Sequence, residues 1–167
     1  MKDPFEFEDK NEVIAVVRAS AGRRVLGLSS LSLLGLLLIY VAFTQSPALL
    51  GQIFLIAVGA AALWLADAMR RATSGSVELT PLMLRDSDGT VIARIEDIVS
   101  MDRGVFAFKP SNGFLLKTKA GRGGRQWRPG LWWQLGRRIG IGGMTPGHQT
   151  KFMSELLSAL MAKRDLS

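Results

Sequence analysis

Residues 25–66 read VLGLSSLSLLGLLLIYVAF, then TQSP, then ALLGQIFLIAVGAAALWLA: two uncharged apolar runs of 19 residues separated by a four-residue break. At about 1.5 Å rise per residue, such a run extends roughly 28 Å as a helix, close to the ~30 Å hydrocarbon core of a bilayer. TQSP is long enough only for a tight turn. Pro47 disfavours helix at Ser46 and suits the first turn of a new helix. The expected element is a transmembrane helical hairpin, residues 25–66, with both ends on one side. The competing reading is a pair of buried helices in a soluble bundle. A soluble helix normally carries a polar face, and neither run has one.

The flanks orient the hairpin. Arg18, Arg23 and Arg24 precede the first run and Arg70 and Arg71 follow the second, whereas TQSP has no positive charge. The positive-inside rule then places both termini and the C-terminal domain in the cytoplasm, with the turn outside. Tyr40, Phe43 and Trp64 fall near run ends, where amphipathic rings suit the interface. Ala57, Gly59, Ala60, Ala61 and Ala62 make the second run rich in small residues, which permits close packing within the hairpin or against another subunit. Asp67 reads as a headgroup-level charge near Arg70 or Arg71. A cleavable signal peptide fits poorly: the beginning is long and acidic, the apolar core is 19 residues long and a second run follows at once. The Arg23-Arg24 pair is ascribed to topology rather than to twin-arginine export.

Charge and composition restrict the chemistry. The chain has 167 residues, no cysteine and one histidine, His148. Disulfides, thiolate nucleophiles and cysteine metal sites are excluded, and a structural zinc site within one chain is not expected. Residues 1–24 are neutral overall, and residues 67–167 carry the whole net charge of +7. No acidic residue lies between Asp102 and Glu155. A field of one sign attracts anionic headgroups, nucleic acid or an acidic protein.

The segment before the hairpin, residues 1–24, begins with the acidic MKDPFEFEDK. Val13, Ile14, Val16 and Val17 then form an apolar run too short to span, either a strand or an interfacial helix. After a linker at 67–75, the pattern changes to short strands and turns over 76–164. Val77 and Leu79 alternate with polar residues, as do Leu82 and Leu84. DSDG (86–89) is a turn; Val91, Ala93 and Ile95 alternate again, followed by Ile98 and Met101. Residues 105–108 are a strand candidate and KPSNG (109–113) a hairpin turn. Phe114, Leu116 and Thr118 share a face, and GRGG (121–124) is a further turn. Residues 126–133 and 137–141 add strands broken at Pro129-Gly130 and Gly136. A helix follows, with Thr145 as cap and Pro146 at its first position. Its apolar stripe is Phe152, Leu156, Leu157, Leu160 and Met161, expected to pack on the sheet.

The order of six or seven short strands and one C-terminal amphipathic helix resembles the bacterial pleckstrin-homology-like (PH-like) domain. The residues carrying the resemblance are SVELTPLMLRDSDG (76–89), VIARIEDIVSM (91–101) and the helix at 146–163. Members of the membrane-anchored group often place a two-helix transmembrane anchor just before such a domain, so the resemblance extends over roughly residues 12–164. It implies a small α+β domain, a bent antiparallel sheet or barrel closed by the helix. It also implies a binding or scaffolding module; the residues themselves lead to no expected cofactor or enzymatic activity. A lipid site does not carry over residue by residue.

The candidate site is GRGGRQWRPGLWWQLGRRIGIGG (121–143). Three of the four tryptophans, Trp127, Trp132 and Trp133, lie there among Arg122, Arg125, Arg128, Arg137 and Arg138. Arginine offers paired donors to phosphate and tryptophan favours the headgroup region. The stretch is read as a surface contacting anionic lipid or a membrane protein. In the opposing reading the tryptophans fill the core and the arginines only solubilise. Nucleic-acid binding is not expected from one GRGGR copy. GIGG lacks the P-loop ending, and Asp86 and Asp88 do not fit a calcium loop. His148 has no acid partner nearby in sequence. Glu96, Asp97 and Asp102 read as a solvated turn or a partner for Arg103, so no catalytic set assembles. The expected function is an inner-membrane assembly or scaffolding protein. The alternative is an accessory subunit of a larger respiratory or photosynthetic membrane complex; the expected partners are anionic lipid, a membrane protein complex or further copies of the chain in a homo-oligomer.

Overall fold

The computed structural model describes residues 11–45, 47–104, 109–121 and 124–166. Two helices of 24 residues, α1 (Ala21–Thr44) and α2 (Leu49–Ala72), lie side by side and are long and apolar enough to cross a membrane. Their most apolar windows are only 11% and 17% buried, so within one chain they are not core helices. They bury small residues against each other: Gly35 and Ala42 of α1, and Gly59, Ala62 and Ala66 of α2. At the crossing a Cβ on Gly35 would lie 2.9 Å from the Gly59 carbonyl oxygen, and one on Gly59 the same distance from that of Gly35. Only hydrogen side chains allow this approach. Both helices outrun their apolar cores. The stretch expected as linker begins inside α2, whose last turns carry Asp67, Arg70 and Arg71. Asp67 pairs with Arg70 (3.1 Å) and with Arg71.

The run at 13–17 resolves as strand β1 (Ala15–Arg18), not an interfacial helix. It pairs antiparallel with β2 (Ser76–Leu79), Ala15 opposite Leu79 and Arg18 opposite Ser76. The expected division into 1–24, 25–66 and 76–164 is therefore crossed by a strand: α1 and α2 are inserted in the loop of a β-hairpin. The first sheet continues through β3 (Met83–Asp86) and β4 (Val91–Arg94) in the order β1-β2-β3-β4. A single 3-10 turn, Ile95–Asp97, leads to the second sheet.

That sheet contains β5 (Ile98–Asp102), β6 (Phe114–Thr118), β7 (Gln126–Arg128), β8 (Trp132–Leu135) and β9 (Arg138–Ile141). Its order is β5-β6-β9-β8-β7, so after β6 the chain crosses to the far edge and returns inward. The strand candidate at 105–108 lies outside the described residues. Helix α3 (Gly147–Leu166) packs on β1 and on the 3-10 turn. Its inward side is Thr150, Met153, Ser154, Leu157 and Leu160, with Leu156 and Met161 partly buried. Phe152, expected inside, is 55% exposed: helical spacing back from Leu157 and Leu160 meets Met153 instead. The Thr145 hydroxyl donates to the Asn112 carbonyl (3.4 Å).

One core joins these layers. Val17, Val77, Leu79, Leu84, Ile92, Ile98, Phe114, Leu116, Trp132, Ile139, Ile141, Met153 and Leu157 are all buried. The domain is bolted to the base of the hairpin. Ser20 N–H donates to the Met144 carbonyl (2.7 Å) and Arg23 to that of Thr145 (3.2 Å). The Met144 side chain fills the notch left by Gly27 of α1.

Because Val17 is buried in the joint core, Val17→Ala is expected to cost about 2 kcal/mol. Val13→Ala, in the same segment but more than a third exposed, is expected to stay within about 0.5 kcal/mol. Thermal unfolding of the full chain in mild detergent checks both. Equal midpoints for the two variants would mean that β1 is not part of the core.

Candidate functional site

Strand alternation splits the Trp/Arg stretch between two faces. On β8 the side chains alternate, Trp132 and Gln134 inward, Trp133 and Leu135 outward. Register then aligns an outer row Trp127, Trp133, Gly140 and Leu115 across β7, β8, β9 and β6. The adjacent outer row is Leu135, Arg138 and Lys117, with Arg125 just before β7. Trp127 and Leu135 are 56% and 53% exposed, and Trp133 is half-buried. The Trp133 indole lies over Gly140, in space that any Cβ there would occupy. The result is a flat apolar centre, with an indole pair directly opposite across strands, flanked by Arg125, Lys117 and Arg138.

The remaining members of the stretch hold the fold together. Trp132 is in the core, and its indole N–H donates to the buried carboxylate of Asp86 at 2.7 Å. This bond ties the first sheet to the second. Arg128 stands 3.6 Å from the same carboxylate and also pairs with Asp88. Arg137 Nε donates to the Thr118 carbonyl (2.9 Å), and Thr118 N–H donates back to that of Arg137 (2.9 Å). Arg122 lies outside the described residues. Of the eight expected contact residues, Trp132 is core, Arg128 is committed to two carboxylates and Arg137 braces a turn. Arg125, Trp127, Trp133 and Arg138 share the outer face. Lys117, Leu135 and the underlying Gly140 were missed, although the alternation of WWQL and FLLKT carries their signal.

Asp88 accepts the Thr90 backbone N–H (2.9 Å). That amide, the Thr90 hydroxyl and then Arg128 hold its carboxyl below the usual carboxylate range. His148 is exposed in the first turn of α3. Arg103 does not pair with the acidic turn as expected. Its guanidinium donates to the Ser154 hydroxyl (3.3 Å), while Asp102 accepts the Gly104 N–H (2.7 Å). Among the described residues no cluster of three or more His, Asp or Glu is placed to hold a metal ion.

Trp132→Phe removes the donor from a buried carboxylate and is expected to destabilise by about 1–3 kcal/mol, with Trp133→Phe as a near-neutral control. The thermal midpoints of the two variants measure this. The depressed Asp88 value has a defined sign. The unfolded chain binds the proton more tightly, so this group stabilises the fold at neutral pH and loses that contribution as pH falls through the lowered value. Asp88→Asn should flatten a small part of the acid limb of a stability-versus-pH curve, small because the carboxylate is 44% exposed.

Comparison of the chain with protein-family models, with curated proteins and with solved structures finds no match in any of the three.

Proposed function

We propose that this chain is an integral membrane protein of a bacterial inner membrane, with both termini and the two-sheet domain on the cytoplasmic side. Its function is to dock a membrane-proximal protein in an assembly or scaffolding role, without enzymatic activity. The observation that carries this reading is the outer face of the second sheet. Trp127, Trp133 and Leu135 form an apolar centre, and Arg125, Arg138 and Lys117 line one side of it, so an aromatic centre meets a cationic edge. The cationic edge favours an acidic partner surface. The same residues suit anionic headgroups, which the test below separates. Orientation is supported by arginines at the base of the hairpin and none at its turn. The two antiparallel sheets closed by α3, with a helical hairpin inserted between β1 and β2, support the PH-like reading of the domain.

A second reading, an accessory subunit of a larger membrane complex, is favoured by one separate observation. Ala57, Ala60 and Ala61 of α2 are exposed, while Gly59, Ala62 and Ala66 are used by α1. That outward side permits close approach by a helix of another subunit.

Affinity purification of the full chain from its native membrane in mild detergent is expected to recover a protein partner. Trp127→Ala/Trp133→Ala should lose that partner by at least about tenfold, the scale of one lost aromatic anchor. Recovery of the chain with lipid alone, or undiminished capture by the double variant, would overturn protein docking through this face. Comigration of the double variant with an intact large complex would select the subunit reading. The absence of cysteine also permits a clean topology test. Gln45→Cys should react with an impermeant thiol reagent in spheroplasts and Ser74→Cys only after lysis; the reverse pattern would invert the orientation.

A further inference from the structure

A cleft of about 260 Å³ lies between Arg103 just past β5, residues 109–113 before β6 and the first turns of α3. Its lining includes Arg103, Lys109, Asn112, Thr150, Lys151 and Ser154, with no carboxylate. The three cations come from separate places: the end of β5, the turn before β6 and the second turn of α3. Among the described residues none of them forms a salt bridge. Arg103 donates to the Ser154 hydroxyl (3.3 Å), and Lys109 Nζ donates to the Arg103 carbonyl (2.8 Å). These partners are neutral, so they position the charges without cancelling them. The nearest acids in sequence do not line the cleft: Asp102 accepts the Gly104 N–H, and Glu155 is exposed on α3 and makes no salt bridge among the described residues.

The floor is rigid. Thr150 and Ser154 are 3% and 1% exposed, and Phe114 beneath them is 1% exposed. Thr150 Oγ1 donates to the Asn112 carbonyl at 2.6 Å and Ser154 Oγ to that of Lys151 at 2.7 Å. Three like charges held around one concavity repel one another, and an anion between them relieves that repulsion. The volume is below the roughly 300–1,000 Å³ of drug-sized pockets. It suits one tetrahedral oxyanion with its first substituent better than a whole nucleotide. The amide ends of α3 add to the attraction but do not define the site. Thr145, which shares the Asn112 carbonyl with Thr150, also accepts a hydrogen bond from Arg23 at the start of α1. The cleft therefore lies close to the base of the hairpin.

The geometry points to a binding site for a phosphoryl oxyanion, held by Arg103, Lys109 and Lys151. The group is either the phosphate of an anionic lipid or that of a small soluble phosphate ester, since the chemistry recognised is the same. The site does not depend on the docking face: it shares no residue with it, and the two respond to different variants.

The test uses the full chain in nanodiscs of neutral lipid. One arm titrates inorganic phosphate and glycerol 3-phosphate by calorimetry. The other replaces a fraction of the lipid with phosphatidic acid and counts lipids retained after detergent release by native mass spectrometry. Saturable binding is expected in at least one arm. It should weaken at least about tenfold in Arg103→Gln and in Lys109→Gln/Lys151→Gln, the loss expected for removing charge-assisted hydrogen bonds. Trp127→Ala/Trp133→Ala should bind as the unaltered chain does. Retained phosphatidic acid that soluble phosphate does not displace assigns the lipid source, and binding in the calorimetric arm assigns the soluble ester. The exposed Lys109/Lys151 pair keeps the test sound if Arg103→Gln unfolds, as the thermal midpoint reports. No binding in either arm, or binding indifferent to the folded lysine variant, overturns the site.

Discussion

The pairing of β1 with β2 is the constraint on which the rest of this structure depends. The two strands are separated in sequence by the whole of α1 and α2, yet Arg18 lies opposite Ser76 at the base of the helices. Closing so long a loop costs entropy if the intervening chain is flexible. Here it is not, because the Gly35–Gly59 crossing already brings the two helix ends together. Packing of the two helices therefore delivers both strands to one place, where they pair. It also follows that residues 72–167 alone lack an edge strand and part of the core, so the domain and its anchor are one folding unit.

A second constraint joins the two sheets. Burying an indole removes its N–H from water, and that donor needs an acceptor. Asp86 supplies it from the first sheet, and Arg128 stands beside the carboxylate so that its charge is not left alone. Because this arrangement fixes Trp132 inward, the period of two on β8 fixes Trp133 outward. The exposed indole face is thus a consequence of a buried hydrogen bond. Gly140 completes it by letting the Trp133 ring lie flat on the neighbouring strand.

These two constraints also explain what was legible in the sequence. The two helices were readable because a 19-residue uncharged run has few other outcomes, and the turns because Asp-Gly, Pro-Gly and Asn-Gly announce themselves. Residues 13–17 were ambiguous because the partner that makes β1 a strand lies beyond the hairpin. The division of the Trp/Arg stretch was hidden because apolar side chains occupy both faces of β8, so alternation gave the period without the phase. The same loss of phase placed Phe152 in the core instead of Met153. The cationic cleft was invisible for a different reason: Arg103, Lys109 and Lys151 are brought together only when α3 closes against the loop before β6.

The net charge of +7 understates how strongly this domain is polarised. Its acids are largely consumed near the first sheet and its approaches. Glu78 pairs with Arg85, Asp86 and Asp88 with Arg128, Glu96 with Arg94, and Asp67 with two arginines of α2. Each pair screens itself and adds little to the far field. Lys117, Arg125 and Arg138 on the second sheet, and Arg103, Lys109 and Lys151 around the cleft, have no such partner among the described residues. These six contribute to the field felt by an approaching anion without a carboxylate beside them. A domain tied to a helical hairpin by two short connections has no freedom to rotate a charged face relative to the helices. What it attracts is decided by where the fold leaves its cations unpaired.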